Sequence, residues 1–259
     1  MLEPYDSYII CTSPRSGSTL LCSLLTAVGI AGNPKSYFHD CSIDEWLHYF
    51  DLVPDASLSE RDTLVKIFKA AITQGSNSNG IFGLRVQRFS FEFLRQKLAV
   101  LHPEHITDAE RFKAVFGNTL YIHLTRQNKV EQSVSYVKAT QSGLWHASPD
   151  GTELERLSPP QELKYDGGEI LKQIEEMNAY DQGWTEWFAK EKINPLQIKY
   201  ETLSENPIKI LCMVLEKLGL DSASANEVEI SVGKLADQTS EDWVNRFRSD
   251  YVHKDLCSE

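Results

Sequence analysis

The sequence has no CxxC pair, no long hydrophobic run and no excess of basic residues, and each absence removes a class of function. Its five cysteines, Cys11, Cys22, Cys41, Cys212 and Cys257, are odd in number and scattered. Neither a disulfide framework nor a zinc site is expected, and a reducing cytoplasm is the expected compartment. Lys and Arg number 26 against 37 Asp and Glu, a formal net charge of −11. A field of that sign repels nucleic acid and anionic membrane surfaces, so neither is an expected partner and any anionic ligand needs a local site. The apolar segments are short and interrupted, and Met1-Leu2-Glu3-Pro4-Tyr5-Asp6 has no basic region of a signal peptide. No membrane span or export signal is expected.

What is present suits one domain over residues 1–259, since 41% hydrophobic content in a chain of 259 residues supplies a sizeable core. Tyr8-Ile9-Ile10-Cys11 reads as a strand, Thr12 to Thr19 as a polar turn, and Leu20 to Val28, stopped by Gly29, as a helix. Further strand-like runs are Ile81 to Val86, Leu120 to Thr125 and Leu196 to Tyr200. Helical patterns lie over Ser59 to Thr73, Ser90 to Val100, Asn128 to Gln141, Glu169 to Lys190 and Pro207 to Leu218. Such alternation predicts an α/β fold with a mainly parallel central sheet flanked by helices in three layers. The stretch from Gly143 to Gly168 is rich in loop formers and is either a functional lid or a disordered excursion. Trp145 and His146 within it are the reason to take the lid seriously.

The segment Ser13-Pro14-Arg15-Ser16-Gly17-Ser18-Thr19 sits between the first strand and helix. A turn there directs backbone N–H groups and the positive end of the helix at one anion, and the hydroxyls of Ser16, Ser18 and Thr19 add donors. Against the pattern GxxxxGK[ST], Gly17 and Thr19 match, but Thr12 replaces the first glycine and Ser18 the lysine. Arg15 can supply the missing charge. The plainer alternative is a polar turn with Ser18 as an N-cap.

Thr12 to Leu21 resembles the 5′-phosphosulfate loop of sulfotransferases, particularly the bacterial family typified by trehalose 2-sulfotransferase. Gly29-Ile30-Ala31-Gly32-Asn33-Pro34, Ile122 to Arg126 with Ser133 and Ser135, Gln182 to Phe188, and Ala236 to Arg248 extend the resemblance along nearly the whole chain. It implies a P-loop-like fold and transfer of a sulfuryl group from 3′-phosphoadenosine 5′-phosphosulfate to a hydroxyl of a small acceptor, such as a carbohydrate. It also implies a homodimer. The donor's 5′ side is expected at Arg15, Ser16, Gly17, Ser18 and Thr19, and its 3′-phosphate at Arg126 and Ser135, with Ser133 as a substitute within the uncertainty of helix phase.

No metal follows from in-line sulfuryl transfer, which needs stabilisation of the departing phosphate oxygen and removal of the acceptor's proton. Arg85 occupies a place where the family commonly has a basic residue, although an ion pair with a neighbouring carboxylate is the alternative. The family carries carboxylates where Asn33 and Ser36 stand, the second regarded as the base, and neither residue here can accept that proton. His39, three residues after Ser36, is the expected replacement, since its ordinary pKa is near neutrality. Asn33, Ser36, Trp145 and His146 are expected around the acceptor. Two rivals remain: a P-loop kinase, which needs a lysine at Ser18, and a nucleotide-binding homologue impaired in catalysis.

Overall fold

The computed structural model describes residues 4–252, so the expectation for Cys257 lies outside the described residues. Strand β1 (Ser7–Thr12) is followed by the turn and by helix α1 (Ser18–Ala27), and then by α2 (Ile43–Tyr49) and α3 (Glu60–Gly75). Next come β2 (Phe82–Gln87), α4 (Arg88–Leu101), α5 (Asp108–Phe116), β3 (Thr119–Thr125) and α6 (Lys129–Ser142). A hairpin of β4 (Leu144–Ala147) and β5 (Glu153–Arg156) precedes the long α7 (Gly167–Lys190). The chain continues through β6 (Leu196–Lys199), α8 (Tyr200–Glu205), α9 (Pro207–Leu218) and α10 (Gln238–Val252).

Strands β2, β1, β3 and β6 pair in that order, all parallel. A parallel sheet is covered on both faces because its crossovers are helical, and alternate residues of β1 serve the two cores. Ile9 and Cys11 join Leu84, Val86, Phe91, Trp184 and Trp187 on one side. Tyr8 and Ile10 join Leu21 and Leu25 of α1, Ile122 of β3, and Leu211 and Val214 of α9 on the other. A third cluster packs α10 on α6 and α7 through Trp243, Val244 and Phe247 against Val134, Val137 and Ile170. The fold is therefore a three-layer α/β sandwich. Among the described residues, no helix is long and apolar enough to cross a membrane.

Local signals account for several helix ends. Ser59 and Asn128 cap α3 and α6 by accepting from Asp62 N and Glu131 N. Pro207 opens α9, where its missing N–H costs nothing, and Gly219 at φ 74° closes it. The stretch from Gly143 to Gly168 is not a structureless excursion. Leu144 and Arg156, His146 and Glu155, and Ala147 and Glu153 face one another in the antiparallel hairpin, and Leu157 N donates to Gly143 O at 2.8 Å.

Candidate active site

The turn after β1 lies at the carboxyl edge of the parallel sheet, where open α/β folds bind ligands. Two of its residues have left-handed backbone, Arg15 at φ 61° and Gly17 at φ 83°. Gly17 is the N-cap of α1, so the alternative of Ser18 as the cap fails: Ser18 is the first helical residue, and no side chain caps this end. The first intrahelical bond runs from Leu21 N to Gly17 O at 3.2 Å, leaving the preceding amides free for an anion. A Cβ on Gly17 would also collide with the ring of Tyr200.

The turn is clamped from three elements. Thr12 Oγ1 donates to Leu124 O at 2.9 Å on β3, and Trp184 Nε1 donates to Thr12 O at 2.9 Å from α7. Gln132 Nε2 donates to Pro14 O at 2.7 Å from α6, while Ser13 Oγ donates to Asp181 Oδ1 at 3.1 Å. Asp181 is itself paired with Lys129 at 2.5 Å. Asp181 and Trp184 of α7 thus buttress the turn from behind.

Three arginines converge on the front of the turn. Arg15 Nε donates to Ser135 Oγ at 2.9 Å and Arg15 Nη1 to Trp145 O at 2.6 Å. Arg126 donates to Arg15 O at 3.4 Å, pairs with Glu131 at 3.0 Å and lies over the Tyr200 ring at 4.4 Å. Its buried Nε has no hydrogen-bond partner among the described residues. Arg85 on β2 donates through Nε to Ser36 Oγ at 2.7 Å and through Nη1 to Thr19 Oγ1 at 2.9 Å. Among the described residues no carboxylate pairs with Arg15 or Arg85, so the ion-pair alternative for Arg85 is replaced by two hydroxyl contacts. Burial, then the nearby charge of Arg126, lowers the Arg15 pKa to about 10. The guanidinium stays charged at neutral pH, but the destabilised cation is one an anion would relieve.

A cavity of about 1350 Å³ opens in front of the turn, lined by Arg15, Gly17, Ser18, Thr19, Arg85 and Arg126, among others. Ser135, His39, Trp145 and His146 line it too. That volume exceeds the ~300–1,000 Å³ of an ordinary small-molecule site. His146 reaches it because β4 lies over the turn: its Nε2 is 3.0 Å from Thr19 Oγ1 and 3.3 Å from Glu155 Oε2. Burial, then Arg15 and Arg85, lowers its pKa to about 4.

Several expectations need correcting. Ser16 is fully buried and bonds back to Ser13 O at 2.8 Å and to Thr12 Oγ1, so its hydroxyl is turned away from the cavity. Asn33 is not at the cavity either; its Oδ1 accepts from Thr26 Oγ1 at 3.1 Å beyond the far end of α1. Ser36 does not line the cavity and reaches the site only through Arg85. Ser133 is fully buried and its hydroxyl has no hydrogen-bond partner among the described residues, which leaves Ser135 as the serine that faces the arginines. His39 is an exposed residue of the rim, edge-on to Phe89 at 5.0 Å, and among the described residues its imidazole makes no hydrogen bond. Glu155 and Asp181 carried no sequence signal. Asp181 meets Ser13 across 168 residues of chain, and Glu155 meets His146 only through the pairing of the hairpin.

The grouping of three metal-ligating side chains found among the described residues is His102, Glu104 and His105, and none of these lines the cavity.

A strand, an anion-directed turn and a helix at the edge of the parallel sheet of a three-layer α/β sandwich define a P-loop-like architecture. Within that class the chain belongs to the Stf0 sulphotransferase family, whose model matches residues 7–250. The trehalose 2-sulfotransferase of Mycobacterium tuberculosis (strain Erdman) is 30% identical over 261 residues, covering 94% of each chain. That of Mycolicibacterium smegmatis is 30% identical over 270 residues, covering 96% of this chain and 97% of the relative. A sulfotransferase structure from Alicyclobacillus acidocaldarius aligns with a TM-score of 0.45 at 12% identity, over 98% of this chain and 94% of that one. The protein is a transferase, and the kinase alternative is not favoured.

Proposed function

We propose that this sulfotransferase takes its sulfuryl group from 3′-phosphoadenosine 5′-phosphosulfate and delivers it to a hydroxyl of a small carbohydrate acceptor. The observation that carries the reading is the convergence of Arg15, Arg85 and Arg126 on a turn whose lysine position is Ser18. Fixed guanidinium groups suit a donor with two separated anions, and they supply the positive charge that a lysine and a metal ion supply in nucleotide triphosphatases.

The roles follow from position. Gly17, Ser18 and Thr19 offer backbone and hydroxyl donors to the 5′ side, with Ser16 contributing through its backbone alone. Arg126, whose Nε is buried and unpartnered, and Ser135 hold the 3′-phosphate. The acceptor oxygen forms the new bond to sulfur as the sulfur–phosphate oxygen bond breaks, and the electron pair leaves with the phosphate. Arg85 and Arg15 stabilise that departing oxygen. Trp145 and His146, on the hairpin within 143–168, border the acceptor. The carbohydrate assignment is supported by the named activity of the two relatives. Resemblance supports a homodimer as well, which sedimentation velocity reads directly. The free thiols of Cys11, Cys22, Cys41 and Cys212 suit a reducing compartment.

The test is transfer of labelled sulfate from the donor to a panel of small hydroxylated acceptors, trehalose included, in the presence of chelator. Labelled product from a sugar supports the reading. Binding of the nucleotide without transfer to any acceptor would assign the protein instead to the catalytically impaired homologues.

A further inference from the structure

The site leaves one chemical requirement without an obvious owner, the acceptance of the acceptor's proton. Two imidazoles border the cavity, His39 and His146. They differ in how they are held. His39 is exposed and has no hydrogen bond among the described residues, whereas His146 is joined to the turn through Thr19 and to β5 through Glu155. The hairpin register puts His146 directly opposite Glu155, so the pair is a product of strand pairing rather than of a chance side-chain approach.

Hydrogen counting orients the ring. A guanidinium has donors only, so Thr19 Oγ1 accepts from Arg85 Nη1 at 2.9 Å and keeps its own hydrogen. The second lone pair of Thr19 Oγ1 faces His146 Nε2, 3.0 Å away, and Glu155 Oε2, an acceptor only, lies 3.3 Å from the same nitrogen, which assigns the ring proton to Nε2 and leaves the Nδ1 lone pair to accept a proton. The charged groups facing the ring are Arg15 from the turn, Arg85 from β2 and Glu155 from β5.

We propose that His146, positioned by Glu155, accepts the proton of the hydroxyl that attacks sulfur. The proposal rests on the sulfotransfer reading above. As the acceptor oxygen bonds to sulfur, its proton passes to His146 Nδ1, and the electron pair of the breaking sulfur–oxygen bond leaves with the bisphosphate. Glu155 Oε2, 3.3 Å from Nε2, then stabilises the imidazolium. The arginines make the arrangement responsive to the donor. In the free protein burial and the two guanidinium groups hold the ring neutral, with a pKa of about 4. A bound donor brings negative charge against the same guanidinium groups, and the proton affinity of His146 rises toward working pH.

Two measurements on the full-length protein decide the matter. Long-range nitrogen–proton spectra of histidine-labelled protein read the tautomer and titration of His146 without any turnover. The Nε2–H tautomer is expected at pH 7, with a titration midpoint that rises by about one unit or more on saturation with 3′-phosphoadenosine 5′-phosphate. An Nδ1–H tautomer, or a midpoint indifferent to the nucleotide, overturns the proposal. In kinetics, His146→Ala and His146→Gln should lower kcat by roughly 10²-fold or more while nucleotide affinity stays within about threefold. Glu155→Gln should lower kcat less and move the acid limb of the kcat profile to lower pH, an effect that a merely structural role would not produce. A loss confined to His39→Ala returns the role to His39. If the unaltered protein transfers sulfate to no acceptor, the functional reading fails, while the spectra still decide the state of His146.

Discussion

Arg85 Nε donates to Ser36 Oγ at 2.7 Å, so the residue standing where the family resemblance implies a carboxylate orients an arginine without neutralising it. A carboxylate at that position would compete with any anionic ligand for the guanidinium. Serine leaves the full positive charge facing Thr19 and the cavity. Arg85→Ala should therefore lower kcat by roughly 10²–10³-fold, the usual cost of removing one preorganised donor to a developing oxyanion. Ser36→Ala should cost only a few-fold, because the Thr19 contact still aims Arg85. Arg85→Lys should not restore the loss, since an ammonium cannot serve Ser36, Thr19 and a ligand with one fixed fork. Steady-state kinetics of the three variants checks the order.

Arg126 should discriminate among nucleotides. Its buried Nε is unpaired among the described residues, and as the proposed holder of the 3′-phosphate it would make a charge-assisted contact that contributes on the order of 1.5–3 kcal/mol. Arg126→Ala should weaken 3′-phosphoadenosine 5′-phosphate by roughly 10- to 100-fold and adenosine 5′-phosphosulfate much less. Equal losses by calorimetry would place Arg126 elsewhere.

Gly17→Ala tests the shape of the turn. The backbone at φ 83° disfavours a side chain and the Tyr200 ring fills the space, so the substitution should destabilise the fold by about 1–3 kcal/mol. Nucleotide affinity should fall further than stability, because the amides at the start of α1 are what the turn presents. Paired thermal melts and calorimetry read the two effects separately.

Acid should destabilise the protein partly through His146. Its folded pKa, about 4, lies below the ordinary histidine value near 6.5, so the unfolded chain binds the extra proton in that interval. Stability is lost as pH falls through the window, by an amount on the order of 2–3 kcal/mol before allowance for the ring's partial exposure. Urea titrations at pH 7 and pH 4.5 should show a smaller acid-induced loss in His146→Gln than in the unaltered protein.

The parts of the site that are local in sequence are legible there. The run Tyr8 to Cys11, the turn and α1 follow one another without interruption, and their residue types dictate strand, anion-directed turn and helix in order. Helix α9 falls at Pro207–Leu218 because its two ends carry their own signals, a proline at the first position and a glycine past the last. The hairpin is not legible, because β4 and β5 have four residues each, too few to show alternation among serines, glycines and prolines. Glu155 enters only through that pairing. Asn33 and Ser16 fail for another reason. Sequence places a residue near a site, but the direction of its side chain is set by contacts with Thr26 in one case and Ser13 in the other.

If the turn from Arg15 to Thr19 and the arginines around it hold an adenine nucleotide with a separate 3′-phosphate, they should need no metal to do so. Calorimetric titration of the full-length protein with 3′-phosphoadenosine 5′-phosphate in chelator, beside ATP with magnesium, measures this directly. Saturable binding of the bisphosphate in chelator, tighter than that of ATP with magnesium, is expected. Binding that appears only with magnesium, or a preference for ATP, would rule out a metal-free site for the bisphosphate.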